Sequence, residues 1–106
     1  MRVSKELPEI NRIIDKLEEV GFTVSMSHDR DAWIPVGEDH YGNTRYASGL
    51  TVFSISDDEA EFLGAAFCSE FDQFSAKRGA QIAFGRAMRM LSEDRGREIV
   101  KAICND

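Results

Sequence analysis

The chain has 106 residues, a net charge of −6, and 42% apolar and 30% charged residues. That is enough for one domain with one hydrophobic core, and too apolar for a disordered chain. Such acidity excludes broad, non-specific binding to nucleic acid, which needs positive surface.

No apolar run approaches the roughly 20 residues of a membrane-spanning helix, and no apolar stretch near Met1 marks a secretory leader, so a cytoplasmic protein is expected. Two cysteines, Cys68 and Cys104, are too few for a disulfide framework and are expected to be free thiols.

Residues 4 to 20 read as a helix: Leu7, Ile10, Ile14 and Leu17 recur at steps of three and four, with Ile13 and Val20 widening the stripe. Ser4 suits the N-cap, Pro8 the first turn and Gly21 the stop. Phe22, Val24 and Met26 then alternate with Thr23, Ser25 and Ser27, the period of a half-buried strand. From Ser27 to Tyr46 the chain is polar and irregular, long for a connection. It holds the only tryptophan, Trp33, and both histidines and both tyrosines. Trp33 to Val36 fits a short edge strand and Gly42-Asn43 a turn. Two readings stand side by side: an ordered loop whose Trp33 and tyrosines close an edge of the core, or a binding loop.

Leu50 to Ser56 is the clearest strand, with Thr51, Phe53 and Ile55 on one side. Ala60 to Cys68 return as another, with Phe62, Gly64, Ala66 and Cys68 on one face, although Asp57 also fits the cap of a helix there. Ser75 is the N-cap of a helix to about Leu91, its inward stripe formed by Gly79, Ile82, Ala83, Ala87, Met90 and Leu91. Gly79 and Gly85 inside it call for close approach to the sheet or to another subunit. Ser92 starts a last helix that buries Ile99, Ala102 and Ile103. The expected fold is α+β in one domain, residues 1–106: an N-terminal helix, an antiparallel sheet of three to four strands, and two C-terminal helices.

Catalytic and metal signatures are missing. His28 and His40 are twelve residues apart, Cys68 and Cys104 thirty-six, and no CxxC, nucleophile elbow or phosphate loop occurs, so no cofactor, metal or enzyme activity is expected. The acids Asp29, Asp31, Glu38 and Asp39 read as a solvated loop. The positive charge is more informative. Lys77, Arg78, Arg86 and Arg89 lie on one helix, with no acid between Asp72 and Glu93. Cations at a helix start, next to free N–H groups and close to Phe71, Phe74 or Trp33, suit an anionic nucleotide: a guanidinium grips phosphate while a ring stacks on a base. The plainer reading pairs Arg86 with a carboxylate such as Asp72 and leaves the rest as a solvated face. Candidate ligand-binding residues are thus Trp33, Phe74, Lys77, Arg78, Arg86 and Arg89.

Cys68, Asp72, Phe74, Lys77, Arg78, Gly79, Ile82, Ala83, Gly85, Arg86 and Ala87, after a strand ending Gly-Ala-Ala-Phe, resemble a pattern in small accessory proteins of bacteriophages. Within these the segment is similar to the Thoeris anti-defence sponge family, although Ala80 stands where that pattern carries an arginine. The resemblance implies a non-enzymatic, oligomeric counter-defence protein that sequesters a cyclic nucleotide inside an infected host, with Phe74, Lys77 and Arg86 as the contacts. Two other classes stand beside it. One is a protein–protein inhibitor of a host defence nuclease, anti-CRISPR-like, that uses acidic surface to mimic nucleic acid. The other is a small hydrolase or nuclease built on loop acids and histidine.

Overall fold

The computed structural model describes residues 1–30, 33–69 and 75–105. Its organising strand is β3 (Thr44–Ser56), thirteen residues long, in which Ala47, Gly49, Thr51, Phe53 and Ile55 are buried and the residues between them are half-exposed from Ser48 onward. This is the alternation of a strand with one covered face. β1 (Thr23–Asp29) runs antiparallel along it, from Thr23 opposite Ser56 to Asp29 opposite Leu50. β4 (Glu61–Ser69) is antiparallel too, from Glu61 opposite Ser56 to Ser69 opposite Ala47, with a bulge between Ala47 and Gly49. β2 (Ile34–Glu38) pairs with the start of β3, Ile34 opposite Ala47 and Glu38 opposite Thr44. Ala47 therefore has Ile34 on one side and Ser69 on the other. It follows that β2 continues along the edge of β3 that β1 occupies, and the two ends form a hairpin arm beyond the body of the four-stranded sheet.

Two helices, α1 (Pro8–Glu19) and α2 (Ala76–Arg95), cover one face of the sheet, and α3 (Arg97–Asn105) packs against both of them. Ile10, Ile14 and Leu17 of α1, Phe53 and Ile55 of β3, Phe62 and Ala66 of β4, and Ala83, Phe84, Ala87 and Leu91 of α2 share one core with Ile103 of α3. Phe53 and Phe84 meet edge to face, with centroids 5.1 Å apart. The expected α+β order is what the structure has, with four strands. Among the described residues, no helix is long and apolar enough to cross a membrane.

Several boundaries differ from the sequence reading, each for a physical reason. α1 starts at Pro8, not Ser4, because a proline keeps the residue before it out of helical backbone; Leu7 sits at φ −120° in the cap position. Ser4 shapes a turn instead: its hydroxyl accepts from the Glu6 N–H and its carbonyl from the Leu7 N–H. Buried Asn11 ties this segment down, accepting from the Val3 N–H at 2.8 Å and donating to the Ser4 carbonyl at 3.1 Å.

Ser27–Tyr46, read as mostly irregular, is mainly strand. β1 extends to Asp29, β2 and β3 supply the arm, and the turn between them closes on Asp39, whose carboxylate accepts from the Tyr41 and Asn43 N–H groups. Gly42, at φ +82°, takes the left-handed backbone which that turn needs. Trp33 and Tyr41 do not close the core, being 63% and 80% exposed. α2 runs through Ser92 to Arg95, and Gly96, at φ +100°, makes the break that Ser92 was expected to make. In α3 only Ile103 is buried, while Ile99 and Ala102 face outward.

Candidate functional site

The Ser75 cap of α2 forms as the sequence suggests, its hydroxyl accepting from the Arg78 N–H at 3.2 Å. The inward stripe of α2 is Ala80, Ala83, Phe84, Ala87, Met88 and Leu91, so Ile82 and Met90 point out. Two glycines set that phase. A Cβ on Gly64 of β4 would collide with the backbone of α2 at the Ala83 carbonyl and the Ala87 nitrogen. A Cβ on Gly79 would collide with the Thr51 hydroxyl. Helix and sheet therefore approach more closely than side chains normally allow. Gly85 meets nothing in the chain.

The candidate cations sit around this helix with different partners. Lys77 Nζ lies 3.6 Å from the Glu6 carboxylate and Arg89 Nε 3.3 Å from that of Glu93, both on open surface, where such pairs contribute little. Arg86 donates to the Ala65 carbonyl of β4 at 2.6 Å, so a strand carbonyl takes the role foreseen for an acid. Arg78 is exposed and has no ion pair among the described residues. Phe74, with Phe71 and Asp72, lies outside the described residues. Trp33 belongs to the arm, where it packs edge to face on Tyr46 at 6.3 Å. The six candidates thus do not form one described site: four cations stand on α2, and Trp33 joins a tyrosine on the arm.

Sequence reasoning missed two polar constellations. Thr51 is 1% exposed, and its hydroxyl lies 2.7 Å from Nδ1 of His28. Burial, then the nearby Arg30, holds the His28 pKa below its usual value. A neutral ring can accept the buried hydroxyl's proton, so the pair satisfies Thr51 under Gly79. At the other end of the sheet, Arg95 clamps Asp57 through two bonds of 2.9 and 3.1 Å. That clamp, with the N–H groups of Glu59 and Ala60, lowers the Asp57 pKa to about 2. Arg95 also lies over the Phe62 ring, 5.5 Å from its centroid. The first joins β1 to β3 beneath α2, and the second joins the turn between β3 and β4 to the end of α2. The spacing of Asp57 and Arg95, 38 residues apart, gave no signal of this.

A cavity of about 420 Å³ opens at the start of α1, between Arg2, Lys5, Asn11, Arg12 and Asp15. Arg2 pairs with Asp15 at 3.3 Å and Arg12 with Glu9 at 3.1 Å, so much of its charge is answered internally. Among the described residues no group of three or more His, Cys, Asp or Glu side chains is placed to hold a metal.

The helix-free side of the sheet has the most unusual chemistry. By strand alternation it presents Thr23, Ser25 and Ser27 from β1, Leu50, Val52, Ser54 and Ser56 from β3, and Leu63, Ala65 and Phe67 from β4. The same alternation adds two acids, Asp29 at the end of β1 and Glu61 at the start of β4, and Leu63 and Phe67 are about half exposed. The arm carries the same theme, with Trp33, Val36, Tyr41 and Tyr46 all exposed. Comparison with protein-family models, with curated proteins and with solved structures found no match to this chain.

Proposed function

We propose that the chain is a binding protein that docks a protein partner on its hairpin arm and acts as an inhibitor of that partner. The exposed rings of the arm carry this reading. Trp33 and Tyr46 support each other edge to face beyond the cover of the helices, with Val36 and Tyr41 beside them. Tryptophan and tyrosine are the side chains that most often dominate protein interfaces, and an isolated strand pair has no packing reason to expose them. The acidity of the chain gives the partner a class, a host defence nuclease whose nucleic acid the chain mimics. A net charge of −6 suits the cationic groove of such an enzyme.

The test is capture of the partner from host lysate by the wild type, by Trp33→Ala/Tyr46→Ala and by Arg78→Ala. Capture should be lost with the rings, retained without Arg78, and weakened by salt. Unchanged capture by the ring variant would remove the basis of the reading.

A second reading, sequestration of an anionic cyclic nucleotide, is favoured by one observation: Arg78, with no ion pair among the described residues, stands in the first turn of a capped helix, where backbone N–H groups also attract anions. A thermal shift with one member of a cyclic-nucleotide panel, abolished by Arg78→Ala, would make this the function.

A further inference from the structure

We propose that the cavity beside α1 is a binding site for a small phosphate monoester, and that Asp15 is the internal anion which the ligand displaces. The site shares no residue with the arm or with the cationic face of α2.

Its walls follow from one buried amide. Asn11, 6% exposed, spends its side chain on the segment before the helix, accepting from the Val3 N–H and donating to the Val3 and Ser4 carbonyls. That segment is thereby strapped alongside α1. Pro8, Asn11, Arg12 and Asp15, three and four residues apart and so on one side of the helix, form the other wall. The space between, about 420 Å³, falls within the roughly 300–1,000 Å³ of small-molecule sites. Val3 and Pro8 give it an apolar side on which the organic part of the ligand can rest.

Charge selects the ligand. Three of the seven lining residues, Arg2, Lys5 and Arg12, are cations against the single acid Asp15, in a chain whose net charge is −6. The Arg12 guanidinium is anchored on the Cys104 carbonyl of α3, which fixes its fork. Lys5 has no ion pair among the described residues. Arg2 pairs with Asp15 through side chains that are 72% and 51% exposed, and such a pair holds weakly against water. A phosphate monoester brings a charge of about −1.5 to −2 at pH 7 and several strong acceptor oxygens, against one charge on Asp15. It therefore outcompetes the carboxylate for the same cations.

The probe is phenyl phosphate, titrated at constant ionic strength into the isotope-labelled chain, with amide NMR shifts reporting both place and affinity. Saturable shifts should centre on Val3, Lys5 and Arg12. Arg2→Ala/Lys5→Ala, on exposed side chains, should weaken binding about tenfold or more with an unchanged circular dichroism spectrum, the scale of losing charge-assisted hydrogen bonds. Asp15→Asn, which removes the competing carboxylate, should tighten it. Three results overturn the proposal: no saturable shift around the cavity, shifts centred on Arg78 instead, or a double variant that binds like the wild type. Weaker binding by Asp15→Asn would refute the displacement of that carboxylate. Should the double variant disturb folding, Lys5→Ala alone decides, a loss of affinity supporting the site and an unchanged affinity refuting it.

Discussion

Phe53 and Val52 are neighbours in the chain and live in different solvents. Phe53 points under the helices, fully buried against Phe84; Val52 points to the open face, half exposed between Ser27 and Ala65. The same backbone hydrogen bonds hold both. What separates them is the cover above each side chain, and the sequence marks that difference in its own alternation. On the covered side the chain places Phe53, Ile55, Phe62 and Ala66; on the open side it mixes aliphatics with serines and carries its acids, Asp29 and Glu61, at strand ends.

The largest effects should come from disturbing the covered side. Phe53→Ala should cost about 3–5 kcal/mol, the range for emptying a fully buried aromatic site, whereas Val52→Ala should cost a fraction of that in the monomer. Denaturant melts of the two variants at one low concentration check the contrast, and equal losses would contradict it. Gly64→Ala is the sharper probe, because its methyl adds apolar surface yet has no room. It must push the backbone of α2 off the sheet at Ala83 and Ala87, so a loss of about 3 kcal/mol or more is expected.

A smaller effect appears only in acid. The clamp from Arg95 and the two N–H groups hold the Asp57 carboxylate in its charged form, with a pKa near 2 against an ordinary value of 3.8. A carboxylate whose pKa is depressed on folding contributes stability above its unfolded pKa and loses it as pH falls through the folded one. The melting temperature should therefore fall between about pH 4 and pH 2, and Asp57→Asn should flatten that part of the profile while lowering the plateau above it. A profile of unchanged slope in the variant would show that other acids control the acid limb.

Much of this fold was legible and some was not, for reasons that lie in particular residues. Ser75 announced the start of α2, and the alternation of Phe62, Gly64 and Ala66 announced β4, because each reports a local requirement. The arm was legible only in part: Trp33 to Val36 fitted a strand and Gly42-Asn43 a turn, but its full length was hidden because neither of its faces is covered. Without a buried side Trp33 to Tyr46 show no period, and a glycine and a proline within β2 resemble loop punctuation. The phase of α2 was hidden for the opposite reason. Ile82, Phe84, Met88 and Met90 surround the helix with apolar groups, so periodicity cannot choose among them. The choice is made by Gly64 and Gly79, which demand the small face of Ala80, Ala83 and Ala87. The partner of Arg86 was beyond sequence reasoning, since a carbonyl is present at every residue and marks none.

The smallest predicted effect separates two glycines that look alike in the sequence. Gly79 and Gly85 sit in the same helix, and each carries the entropic cost of about 1 kcal/mol relative to alanine. At Gly79 the added methyl meets the buried Thr51 hydroxyl, which His28 holds in place, so Gly79→Ala should lose stability despite the better helix propensity. At Gly85 the methyl enters open space, and Gly85→Ala should gain about 0.5–1 kcal/mol. Thermal melts at low concentration read both signs.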